Sequence, residues 1–153
     1  TAPSLSRFLA RTRRQGKAWT NEMVSRISAV TEELVPEIWE IRVGDLQARA
    51  VSRALAAGKP VSVGDLLRDH HDRAQVLPCI PLMLSRGDHA QLLPSEVARV
   101  EIGDHLLFCG KTSAASAMDW TLQNDKVLHY VLTGREMPET WIWQWIDRRL
   151  PRS

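Results

Sequence analysis

The segment 76-VLPCIPLMLSRGDHAQLLPSEVARVEIGDHLLFCG-110 decides how the chain folds. Residues 76–85 are an almost unbroken apolar run that ends on Arg86, Gly87 and Asp88. Those three residues suit a tight hairpin turn, because glycine takes a positive φ without a Cβ clash. A second apolar stretch, residues 90–93, follows at once and stops at Pro94. Gly103 and Asp104 mark another turn, and after His105 residues 106–109 are again apolar up to Gly110. The pattern predicts strands over 76–85, 90–93 and 105–109. It offers no candidate catalytic grouping, so Arg86, Gly87, Gly103 and Asp104 are expected to shape turns.

Working upstream, residues 38–43 alternate as a strand does, with Ile38, Glu40 and Arg42 to one side and Trp39, Ile41 and Val43 to the other. Residues 45–57 read as an amphipathic helix that stops at Gly58 with Pro60 just beyond, and Leu46, Ala50, Ala54 and Leu55 offer it a packing face. A short helix is expected from Ser62, through Val63, Gly64, Asp65, Leu66 and Leu67. Two helices are predicted before the first strand. One covers 4–14, with Leu5, Phe8 and Leu9 on one side. The other starts at Thr20 or Asn21 and ends near Leu34, with Met23, Ile27, Val30 and Leu34 at spacings of three and four. Pro36 ends it, since the residue before a proline is pushed out of helical geometry.

Downstream, Thr112 or Ser113 can cap a helix that turns Ala117, Met118 and Leu122 inward. Residues 126–133 then read as a strand, with Val127, His129 and Val131 on one face and Leu128, Tyr130 and Leu132 on the other. Residues 139–150 read as a terminal helix. In it Trp141 and Trp145 share a face while Trp143 is displaced, which leaves core packing, a dimer contact and an interfacial membrane contact all open. The expected class is α+β: a small mixed or antiparallel sheet flanked by helices, with a C-terminal helix–strand–helix.

A length of 153 residues suits one domain with appendages, and 44% hydrophobic with 25% charged residues is an ordinary globular balance. A net charge of +2 is too small to argue for nucleic acid over the whole chain. Arg7, Arg11, Arg13, Arg14 and Lys17 crowd the first segment, suited to phosphates, to an anionic membrane surface, or simply to a solvated helix face. Cys79 and Cys109 both sit in apolar runs, where free cysteine behaves as a small buried hydrophobe; a disulfide needs their strands to be neighbours. No apolar run approaches the ~18 residues that span a bilayer. The chain opens on Thr1 without an apolar leader and is expected to be a piece of a longer protein.

Reactive groupings are sparse. His70, His71 and Asp72 combine imidazole and carboxylate, a donor set that suits zinc, but no second ligand pair stands at a recognisable spacing, so no metal is expected. His89 and His105 are single residues beside turns. Ser85, Ser95 and Ser113 lack a nucleophile elbow, and Gly16, Gly44 and Gly64 are isolated rather than parts of a dinucleotide or phosphate loop. Neither an enzyme nor a cofactor is expected.

The order from Ile38 to Gly110 resembles the TrkA C-terminal, or RCK C-lobe, family of domains that regulate conductance of potassium. The resemblance is carried by the first strand at 38–43, by Gly64-Asp65-Leu66-Leu67, and by the apolar strand that ends at Arg86-Gly87. Pro94 and the closing Gly103-Asp104-His105-Leu106-Leu107-Phe108-Cys109-Gly110 complete it. It implies linker or crossover helices over 1–35, a C-lobe-like domain over 36–111 with an inserted helix at 45–57, and an extension over 112–153 packed on it. It also implies a dimer that senses a small ligand or ion and couples its binding to gating. The parent chain would carry a nucleotide-binding lobe and a membrane pore upstream, with this part soluble at the cytoplasmic face of the membrane. By analogy the ligand crevice would involve Leu77, Ile80 and Pro94. The rival expectation is a soluble protein-interaction or small-ligand-binding domain of unrelated ancestry.

Overall fold

The computed structural model of the protein describes residues 3–12, 16–31 and 36–134. The strands Glu37–Arg42 (β1), Cys79–Arg86 (β2), His89–Leu92 (β3) and His105–Gly110 (β4) form one antiparallel sheet in the order β1-β4-β2-β3. The fold is therefore α+β, with no parallel pairing in this sheet. β2 and β3 form the expected hairpin, closed by the Arg86–His89 pair, and Gly87 takes φ +59 in its loop. β2 carries a bulge between Pro81 and Met83, so Leu82 has no partner of its own on β4. The proline sits where β3 does not reach, since β3 pairs only from Met83 onward.

Alternation along β4 divides the core in two. Leu106 and Phe108 face one side, Leu107 and Cys109 the other, and all four are buried. Pro3–Thr12 (α1) and Lys17–Thr31 (α2) cover the second face, where Phe8 and Met23 pack on Ile80, Leu82, Met83, Leu107 and Cys109. The first face is covered by Arg49–Ala56 (α3), Val63–Leu66 (α4), Thr112–Gln123 (α5) and Asp125–Thr133 (α6). Its core joins Ile41, Val43, Leu106 and Phe108 to Val51, Leu66, Met118 and Leu128. Trp39 and Phe108 stack there, 5.8 Å between ring centroids. Each fully buried Leu, Val or Phe contributes about 1.5–3 kcal/mol. α3 and α6 are tied across this layer by Arg53 donating to Asp125 at 2.7 Å.

α4 begins as the sequence predicts. Ser62 Oγ accepts from the Asp65 N–H and the Asp65 carboxylate accepts from the Ser62 N–H, a reciprocal capping box. Three expectations are corrected. Residues 126–133 are helical, not extended: Leu128 and Val131, three apart, are both buried, so the C-terminal helix–strand–helix does not form as such. The helix expected from Asp45 starts only at Arg49, and residues 45–47 form a turn that leaves Leu46 94% exposed instead of packed. α2 starts at Lys17, before Thr20 and Asn21. The reading of 139–150 as a helix, with Trp141, Trp143 and Trp145, lies outside the described residues, as do Arg13, Arg14 and Leu34.

The two cysteines are free and buried. Cys79 is opposite Gly110, and Ile80 is opposite Cys109, so the thiols point to opposite faces of the sheet and cannot bridge.

Candidate functional site

The four turn residues singled out in the sequence meet in one place. Arg86, at the end of β2, donates from Nε and Nη2 to the two carboxylate oxygens of Asp104, each at 2.9 Å. It also reaches the Arg99 carbonyl at 3.1 Å and the Glu101 carboxylate at 2.8 Å. Asp104 is fully buried and accepts the Glu101 N–H at 2.7 Å as well. This paired fork locks the turn at Gly103, whose φ is +96, against the hairpin at Gly87. Every polar contact here is spent on the protein itself, which makes it a structural clasp.

The clasp sets the wall of a cleft. Beyond β1 the ladder to β4 continues, with the Val43 N–H donating to the Asp104 carbonyl and the Gly103 N–H to the Val43 carbonyl, both at 2.8 Å. That brings the 44–47 turn beside residues 102–105. Gln47 Oε1 accepts the outward Arg42 N–H at 2.7 Å, which holds the turn against the free edge of β1. The cleft between them has a volume of about 610 Å³ and is lined by Glu40, Arg42, Asp45, Leu46, Ile102 and His105, among others. That size falls in the range of small-molecule sites. Glu40 pairs with His105 Nδ1 at 2.9 Å, and Asp45 accepts from Ser52 Oγ at 2.9 Å. A smaller groove of about 240 Å³ runs alongside, between the edge of β1 and α5. Sequence reading missed this cleft because its members come from β1, a turn and β4. The β1–β4 register, in which Arg42 is opposite His105, joins them.

The residues expected by analogy to meet a ligand lie elsewhere. Leu77 is buried in the core beneath α3–α6, Ile80 is buried on the opposite face of the sheet, and Pro94 is buried in the loop after β3. None of them lines either cavity. The His70-His71-Asp72 loop is organised by Asp69, whose Oδ1 accepts the N–H groups of His71 at 2.7 Å and Asp72 at 3.2 Å. The His71 bond, foremost, holds the Asp69 carboxyl below its ordinary range. The rings of His70 and His71 lie 4.0 Å apart, and burial, then the charge of His71, pushes His70 down. Among the described residues no three His, Cys, Asp or Glu side chains are grouped to hold a metal ion.

Fold and cleft together define a small antiparallel α+β domain with an open pocket at one sheet edge. Comparison with protein-family models, with curated proteins and with solved structures returned no match to this chain.

Proposed function

We propose that residues 36–111 serve as the regulatory lobe of a potassium channel or potassium-uptake protein, a module without catalysis that binds a small ligand, pairs with a second copy and biases gating. One observation carries the reading. The strand pieces that resemble the TrkA C-terminal family, at 38–43, up to Arg86-Gly87 and from Gly103-Asp104 to Gly110, meet in one antiparallel sheet, and the Arg-Gly turn and the Gly-Asp turn are bonded to each other through Arg86 and Asp104. Residues of that kind hold a shape and leave the chemistry of sensing to a pocket. The cleft beside Arg42 and His105 supplies one.

In this reading the parent chain carries the pore and a nucleotide-binding lobe, and the lobe acts at the cytoplasmic face of the membrane. Among the described residues no helix is long and apolar enough to cross a bilayer. A ligand biases gating only through its difference in affinity for the two states, at about 1.4 kcal/mol per tenfold difference. A thermal-shift screen with nucleotides, cyclic dinucleotides and divalent ions tests the proposal. One class is expected to raise the melting temperature, since saturation at a hundredfold Kd stabilises the native state by about 2.7 kcal/mol. No shift with any class, together with a monomer by light scattering at high concentration, would count against it.

A further inference from the structure

Charges around the cleft are not equally engaged. Glu40 is bonded to His105 and Asp45 to Ser52, so both acids already have donors. Arg42 is exposed and spends its backbone N–H on Gln47, while its guanidinium has no acceptor among the described residues. Beside it stand two apolar side chains in water, Leu46 at 94% exposure and Ile102 at 56%, both on the cleft wall. A wholly exposed leucine at the rim of a cavity gains by being covered, and a free guanidinium fork matches an oxyanion.

We propose that the cleft takes a small amphipathic oxyanion, with its carboxylate or phosphate on Arg42 and its apolar body against Leu46 and Ile102. This rests on the reading of the cleft as the ligand site of a sensory lobe. A cationic ligand against Leu46 and Ile102 would face Arg42, which lines the same cleft, as a like charge. A purely apolar ligand would leave the guanidinium as it is and gain only the contact with Leu46 and Ile102.

The test titrates the full 153-residue chain with octanoate and with octyl phosphate below their micelle concentrations, beside octylamine and acetate, by calorimetry and amide NMR. At least one octyl anion is expected to bind and to move the amides of residues 42–47 and 102–105; which of the two binds tighter separates a carboxylate source from a phosphate source. Acetate and octylamine are expected to bind at least about tenfold more weakly. Arg42→Gln is expected to lower the affinity for the octyl anion by about tenfold, and Leu46→Ser by about threefold. Both variants should keep the melting temperature of the parent chain, since both side chains are exposed. Octylamine binding as tightly as octanoate, or an unchanged affinity in Arg42→Gln, overturns the proposal. If the octyl anions leave these amides unmoved while a hit from the thermal screen moves them, the ligand class is wrong and the sensory cleft stands. If nothing moves them, both are wrong.

Discussion

Replacing Gly110 by alanine tests the sheet where it is tightest. Gly110 ends β4, the strand paired on both sides, opposite Glu37 of β1 and Cys79 of β2. A Cβ at this position would overlap the Cys79 Cβ and come within 2.5 Å of the Pro78 carbonyl oxygen and 2.6 Å of the Cys79 Cα. Ordinary carbon contacts are ~3.5–4.0 Å, so β2 and β4 would have to part by about 1 Å. Two of these obstacles are backbone atoms, and the Pro78 carbonyl is held by the Lys111 N–H at 3.0 Å, so no rotamer change relieves the clash. Overpacking costs about 1–3 kcal/mol, and an obstacle made of backbone belongs at the upper end. About 3 kcal/mol lowers the melting temperature of a chain this size by about 6–12 °C, readable by circular dichroism. Cys79→Ala should not rescue Gly110→Ala, because the Cβ and both backbone obstacles remain. Gly44→Ala is the control: its Cβ meets nothing within 4 Å, and it should change stability by no more than ~0.5 kcal/mol. A Gly110→Ala protein that melts within 1 °C of the parent (on the order of a few tenths of a kcal/mol) would refute the close approach of the strands.

Three other outcomes follow from buried groups. Arg86→Leu removes the fork from Asp104, whose side chain is 1% exposed, while that of Arg86 is 48% exposed; the loss should be about 2–3 kcal/mol in urea unfolding, and a loss under ~1 kcal/mol would mean that water replaces the guanidinium. His70 and His129 are both held below the ordinary value of 6.5, mainly by burial, so the unfolded chain takes up their protons first. Their contribution is complete above that pH and is lost as pH falls through and below it; melting temperatures measured from pH 7.5 down to 5.5 (roughly one unit either side of the histidine range) should decline, and a flat profile would contradict this. The Cys79 thiol is pushed up to about 12 by burial and then by Cys109, so iodoacetamide should label it at pH 8 (about the range where an ordinary thiol begins to ionise) at least a hundredfold more slowly in the native protein than in urea. Rapid native labelling would place it near solvent.

What the sequence discloses depends on how local the signal is. β2, β3 and β4 are legible because apolar runs stop at Arg86-Gly87 and at Gly103-Asp104, and the turn chemistry fixes where each strand ends. α4 is legible from Ser62 and Asp65, a cap complete within four residues. Residues 126–133 mislead because a short, mostly apolar run, broken only at His129, satisfies a strand and a buried helix alike. The deciding marks are Asp125 in the first turn, the burial of Leu128 and Val131, and Gly134 with φ +76 as the cap. The late start of α3 was hidden for a different reason. Leu46 fits an apolar helix face on paper, but Gln47 turns back to the Arg42 N–H and keeps 45–47 out of the helix. The cleft is the least legible of all. Arg42 and His105 are 63 residues apart in sequence and become neighbours only in the β1–β4 register. Arg86 and Asp104, by contrast, stood out as turn residues, although their mutual bond needs the folded sheet.

The regulatory reading is most directly tested by potassium flux. Cells that carry the parent gene without the coding region for residues 36–111 would be compared with cells that carry it intact, at matched amounts of membrane-inserted protein. The account predicts that potassium still crosses the membrane but that its flux no longer responds to the ligand that stabilises the isolated lobe. Flux and response identical in the two strains would contradict a regulatory role for this domain.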